Sequence, residues 1–177
     1  MRRLPALGVV DHFDRFPGAA DTALLGPGRH ALQRVRAARY SEAMARDKVD
    51  VAKRMVDAFN RRDVDGGFAE LVTPDFEWHP AIARALDGGV YRGREGVERF
   101  VVDTSENWEE LQNVAAEFRD LGDRVFVLGR IKGRGKGSGA PVDQPYAGIF
   151  DFRGDRIWRY RVYFDHTEGL RAAGLSE

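Results

Sequence analysis

Glu77 and His79 place a carboxylate and an imidazole two residues apart in the stretch Phe76-Glu77-Trp78-His79-Pro80. The alternation there predicts a short strand with Phe76 and Trp78 on one face and Glu77 and His79 on the other. A carboxylate beside an imidazole orients the ring and raises its pKa, and an imidazole titrating near about 6.5 can move protons at neutral pH. The pair is therefore a candidate acid/base dyad, with His79 leading. A plainer reading of the same residues is a rim glutamate in solvent and a part-buried histidine bonded to backbone. His166 is a second proton handle by type. Its place in Asp165-His166-Thr167-Glu168, which reads as a capping box, points to the surface instead.

The aromatic residues Phe59, Phe100, Tyr146, Phe150, Tyr160 and Phe164 fall on the predicted inner faces. They read either as the wall of a pocket for a flat or hydrophobic ligand or as ordinary core. Tyr146 and Tyr160 each bring a hydroxyl that needs a partner. Trp78, of opposite parity to His79, is expected to pack beneath the sheet. The chain contains no cysteine, so disulfides, thiolate metal sites and cysteine nucleophiles are excluded. No group of histidines or carboxylates has ligand spacing, and neither a metal nor a cofactor is expected. Arg130, Lys132, Arg134 and Lys136 alternate with glycines, but no aromatic is interleaved for base stacking and no phosphate-loop helix follows. Nucleic acid is not an expected partner.

These residues must be positioned by elements that the periodicity outlines. Val49, Ala52, Val56 and Phe59 form one helical stripe, and Asp63 can cap a short second helix carrying Phe68, Leu71 and Val72, with Pro74 closing it. Val97, Phe100, Val101, Thr104 and Trp108 mark a third helix. After residue 110 the period changes to two. Strands are expected over Leu111–Asp120, Arg124–Lys132, Val142–Phe152 and Arg156–Phe164, joined by Gly122-Asp123, the Gly133–Pro141 loop and Gly154-Asp155 as an antiparallel meander. In the last strand the even positions Trp158, Tyr160, Val162 and Phe164 are apolar or aromatic, and Arg159 and Arg161 lie on the other face. A closing helix follows, with Gly174 available to end it. The fold class is α+β.

The stretches Asp57–Gly66, Phe76–Pro80, Tyr91–Val97, Gly133–Gly139 and Arg161–Leu170, in that order, resemble the SnoaL-like group of the nuclear-transport-factor-two-like, ketosteroid-isomerase-like superfamily. The resemblance covers residues 44–177. It implies a conical barrel with N-terminal helices packed in a curved, mostly antiparallel sheet around an apolar pocket, and a homodimer formed through the outer sheet face, where Arg159, Arg161 and Tyr163 lie. Isomerases of this superfamily carry a base just before the proline that ends the first strand, a position that His79 occupies here. Their two oxyanion donors correspond to Met55 and Gly148, neither of which can donate from a side chain. Steroid-isomerase chemistry in that form is therefore not expected, because losing one such donor costs about 10²–10³ in rate.

Two functions follow as expectations. One is a cofactor-independent acid/base enzyme (isomerase, cyclase, dehydratase or hydrolase) acting on a hydrophobic metabolite. The other is a non-catalytic module that binds a small hydrophobic molecule or dimerises.

The whole-chain numbers set the frame. In 177 residues, 28 Lys and Arg balance 28 Asp and Glu, so no global field favours nucleic acid or an anionic membrane. The balance is uneven: residues 1–43 hold seven arginines against four acids, 7 − 4 = +3, and the remainder is 21 − 24 = −3. That basic segment reads either as a flexible N-terminal extension or as an artefact of the start site, with Met44 as the true start. Its longest apolar stretch, Leu7–Val10, is too short for a signal core or a membrane span. A cytoplasmic location is expected, and 24 Arg to 4 Lys suggests a GC-rich bacterial genome.

Overall fold

The computed structural model describes residues 48–81 and 89–175. The expected extension 1–43, with His12 and His30, lies outside the described residues. Helix α1 covers 48–61 and turns Val51, Ala52, Met55, Val56 and Ala58 into the core. The carboxylate of Asp63 accepts from the Gly66 N–H at 2.9 Å, so it caps the following element as its position suggests. That element, α2, is a π-helical turn over Val64–Phe68 continuing into Ala69–Leu71.

Strand β1 spans Val72–His79, so Pro74 lies inside the strand and does not act as the helix stop. The proline is tolerated because pairing of β1 is interrupted between Val72 and Glu77, where the ladder asks no N–H of residue 74. Strand β2, Tyr91–Arg92, is too short for alternation to reveal; it pairs antiparallel with Glu77 and Trp78. Helix α3, Gly93–Asn107, buries Gly96, Val97 and Phe100. It ends one residue early, and Trp108 opens the next strand. The side chains of Thr104, Ser105 and Asn107 bond back to carbonyls one turn before them, which weakens continuation of the helix.

The meander follows as β3 (Trp108–Asp120), β4 (Arg124–Gly135), β5 (Pro141–Arg153) and β6 (Arg156–Tyr163). The sheet order is β2-β1-β6-β5-β4-β3, with only the β1–β6 pair parallel. The α+β fold is thus a curved, mostly antiparallel six-stranded sheet around helices, left open with β2 and β3 as its edges. On the concave side, Phe76, Trp78, Phe100, Phe150, Ile157 and Tyr160 belong to one buried cluster with α1. Each large side chain so buried contributes about 1.5–3 kcal/mol.

Strict alternation fails at one point of β6. Pairing with β5 shifts between Asp151 and Phe152, so Trp158 is the extra residue of a bulge. Ile157 turns inward in its place, and the Trp158 ring lies on the outer side between the guanidinium groups of Arg153 and Arg159, each 4.3 Å from its centroid.

The closing helix α4, His166–Ala173, covers Phe126, Ala147, Ile149 and Tyr163 on the outer face. Contact is close at Gly169, where a Cβ would stand 2.3 Å from that of Ala147. Asp165 caps the helix through the Glu168 N–H at 2.8 Å. Gly174, at φ 75°, ends it while the N–H groups of residues 174 and 175 return to Arg171 and Leu170. His166 is exposed. No described helix is long and apolar enough to cross a membrane.

Candidate functional site

A cavity of about 240 Å³ opens on the concave side of the sheet. Its walls come from every layer: Phe59 of α1, Phe100 and Thr104 of α3, Trp78 of β1, Trp108, Leu111 and Asn113 of β3, Ile131 of β4, Val142 and Gln144 of β5, and Tyr160 and Val162 of β6. Phe164 stands among them with 37% of its surface exposed. Of the six aromatics singled out by the sequence, Phe59, Phe100, Tyr160 and Phe164 line the cavity. Tyr146 and Phe150 stand behind it, fully buried, with Phe150 stacked on Tyr160 at 4.1 Å between centroids. Trp78 is not beneath the sheet on the far side; it faces the cavity and packs on Phe100 at 4.2 Å.

Glu77 and His79 point the other way. In register they share a face with Arg159 and Arg161 of β6, the outer one, and neither lines the cavity. They do form a pair: Nε2 of His79 donates to Oε2 of Glu77 at 3.1 Å, and Nε of Arg92 donates to Oε1 at 3.1 Å. The His79 hydrogen bond first, and Arg92 after it, hold the Glu77 carboxyl below its ordinary range. Both side chains are 26% exposed. Beside them on the same face, Asp151 is buried and held by Nε of Arg159 at 2.9 Å and by the Arg161 guanidinium at 3.0 Å.

Among the described residues that line the cavity there is no aspartate, glutamate, histidine, lysine or arginine. Thr104 and Gln144 are polar members of its wall, and its floor lies at Trp78, Asn113 and Tyr160, with Tyr146 behind them. The Trp78 Nε1, Asn113 Oδ1, Tyr146 Oη and Tyr160 Oη atoms are all buried and make no hydrogen bond of proper length and angle. Burial pushes the phenols of Tyr146 and Tyr160 well above the ordinary tyrosine range, so both stay protonated. Asn113 is fixed from its backbone: its N–H donates to Asn60 Oδ1 at 2.7 Å, and its carbonyl accepts from Asn60 Nδ2 at 2.9 Å. A polar residue interrupting the inward series Leu111, Asn113, Ala115 was the available sequence signal for this floor.

Gly148 has a spatial role. A Cβ there would lie 2.9 Å from Cε2 and 3.0 Å from Oη of Tyr160. The space that a side chain at position 148 would take is filled by a phenol from the neighbouring strand. Met55 is buried in the α1 core. No cluster of three or more metal-ligating side chains occurs among the described residues. In the basic run, Arg130 pairs with Asp143, Arg134 donates to the Gly139 carbonyl at 3.0 Å, and Lys136 reaches the Ser105 carbonyl at 3.4 Å. The first two contacts tie the β4–β5 hairpin, and the third ties its turn to α3.

An open α+β cone with an apolar cavity and buried polar groups at its floor is the class that fold and site define together. The family model for the SnoaL-like domain matches residues 52–160, more than half of the chain, and the chain belongs to that family. Solved structures with the same fold include an NTF2-like protein of unknown function from Burkholderia pseudomallei K96243 (24% identity, TM-score 0.60, covering 71% of this chain and 95% of that one). A protein with a ketosteroid isomerase-like fold from Catenulispora acidiphila DSM 44928, in complex with trimethylamine, aligns at 21% identity and TM-score 0.57 over 71% and 93% of the two chains. A putative SnoaL-like polyketide cyclase from Jannaschia sp. CCS1 aligns at 21% identity and TM-score 0.57 over 76% and 96%. No curated protein matches the chain.

Proposed function

We propose that this protein binds a small apolar molecule in the concave cavity and that the cavity itself performs no acid/base chemistry. The observation carrying this reading is the composition of the wall: aromatic and aliphatic side chains throughout, and no group that titrates near neutral pH among the described lining residues. A cavity of about 150 Å³ accepts benzene, so about 240 Å³ suits one or two rings. Trp78 and Trp108 line the cavity and Trp158 does not, so tryptophan emission reports occupancy. Naphthalene is expected to change that emission saturably in the wild type and to lose its effect in a folded Val162→Phe variant, whose larger side chain fills the space. Absence of a saturable change in the wild type refutes the reading, as does full retention in the variant.

A second reading keeps catalysis at Glu77 and His79, supported by their 3.1 Å hydrogen bond. It puts the reacting group on the outer face, beside Arg92, and predicts that His79→Ala abolishes any turnover detected with the wild type. Turnover unchanged in that variant removes it. We further propose a homodimer through the part of the outer face that α4 leaves uncovered, where Arg159 and Arg161 lie; Tyr163, expected on that surface, is buried beneath α4 instead. Light scattering that gives a monomer mass at micromolar concentration excludes it.

A further inference from the structure

Six aromatic side chains line the cavity, and four of them hold one another in place. Trp78 lies 4.2 Å from Phe100, 5.7 Å from Phe59 and 5.7 Å from Tyr160 between ring centroids, so these rings take their orientation from the fold. The other two, Trp108 and Phe164, contact no ring among the described residues. Phe164 is 37% exposed. Trp108 is half-buried, and the backbone around it is arranged to turn it inward.

Leu111 and Asn113 face the cavity, so strict alternation along β3 would send position 108 to the outer side. Pairing with β4 shifts between Trp108 and Glu110, which makes Glu109 the extra residue of a bulge and brings Trp108 to the concave face. Bulges re-aim side chains in this way and gather beside functional sites. Opposite, Gly133 follows Ile131 on the inward series of β4, and a Cβ there would stand 3.3 Å from Cε3 of Trp108 and 3.1 Å from Cδ1 of Leu111. The side chain that β4 omits leaves the space in which the indole lies. Both ends of the peptide group before Trp108 are also fixed: its N–H donates to the Thr104 carbonyl, and the Asn107 carbonyl accepts from the Lys136 N–H at 2.9 Å. The glycine-rich β4–β5 hairpin thus holds one wall of the cavity. An indole with no ring neighbour can stack on a planar ligand, and an aromatic pair gains more than its buried area alone, which a saturated ring of equal size does not.

Resting on the reading that the cavity binds a small apolar molecule, we propose that Trp108 is its specificity-determining residue, selecting a planar aromatic ligand over a saturated one of the same size by stacking on its face.

Headspace gas chromatography over solutions of the full chain tests this with naphthalene and trans-decalin, two bicyclic hydrocarbons of similar size. The ratio of their affinities is read within one protein, so a general loosening of the fold does not mimic the effect. Trp108→Leu keeps an apolar wall without a ring and should lower the naphthalene-to-decalin ratio about two- to tenfold, and Trp108→Phe should restore most of it. Trp108→Met gives the same comparison should the leucine variant fold poorly. A ratio unchanged in the variants without a ring overturns the assignment to Trp108 alone, as does a ratio that Trp108→Phe leaves as low as theirs. If neither hydrocarbon binds the wild type, the apolar-ligand reading falls and this inference with it.

Discussion

Gly148→Ala tests whether the empty space at Gly148 is what admits Tyr160. On an ordinary strand, replacing glycine by alanine lowers the entropy of the unfolded chain and stabilises by about 0.4–1 kcal/mol. Here the new Cβ would lie 2.8 Å from Cγ1 of Val127 and 2.9 Å from Cε2 of Tyr160. Carbon atoms in good contact sit about 3.5–4.0 Å apart, so both neighbours must retreat by more than half an ångström. Val127 is β-branched and fully buried and has few other rotamers to adopt. Tyr160 is held between Phe150 at 4.1 Å and Trp78 at 5.7 Å. Overpacking of this kind costs about 1–3 kcal/mol, which outweighs the entropic gain and leaves a net loss of about 1–2 kcal/mol. For a domain of this size that is roughly 3–8 °C in melting temperature. Thermal denaturation followed by circular dichroism reads it directly, and a double-mutant cycle assigns the cause: in a Tyr160→Leu background the alanine should cost at least about 0.5 kcal/mol less. A Gly148→Ala protein that melts at or above the wild type, or one whose loss is the same in both backgrounds, refutes the argument that the glycine makes room for the phenol.

Other sites give sharper local tests. Asn60→Ala removes both hydrogen bonds to the Asn113 backbone and should destabilise by roughly 1–2 kcal/mol in urea; a change under about 0.3 kcal/mol would show that α1 is held to β3 by packing alone. Asp151→Asn keeps the shape but leaves Arg159 and Arg161 without their counter-charge. Because those guanidinium groups are only partly buried, the expected cost is about 2–3 kcal/mol, below that of a fully buried pair, and an unchanged denaturation midpoint would contradict it. Glu77 has its carboxyl lowered by His79 and Arg92, so its contribution is fully present above the ordinary glutamate value and is lost as pH falls through the lower folded one. Glu77→Gln should therefore be less stable than the wild type at neutral pH and should converge with it in acid below that range; curves that stay parallel across the range argue against the linkage.

Local patterning made the meander legible, because alternation and turn glycines are properties of neighbouring residues. The four long strands lie within a few residues of their expected bounds, and Asp63 and Asp165 cap helices as their positions suggest. Less was legible where long-range geometry decides. Which face of β1 is concave depends on how the sheet curves around α1 and α3, and no period reports that. Glu77 and His79 consequently share a face, as read, but it is the outer one, and Trp78 takes the inner. The bulge at Trp158 swapped the parity of one aromatic, because a single inserted residue leaves no compositional trace. Asn113 was hidden for a different reason: its importance comes from a partner 53 positions away.

That partner gives the sheet something beyond an anchor for the floor. Strand β3 is an edge thirteen residues long, with Val114 43% exposed, the sort of border on which another chain can template. At Asn113 the border is already occupied: the Asn60 carboxamide presents one acceptor and one donor in the arrangement of a peptide group, a single residue of counterfeit strand delivered by a helix. An incoming strand would have to evict it before it could run past the middle of β3. The contact that fixes the middle of β3 to α1 thus doubles as a guard against self-association, and a variant lacking it should be watched for aggregation as closely as for lost stability.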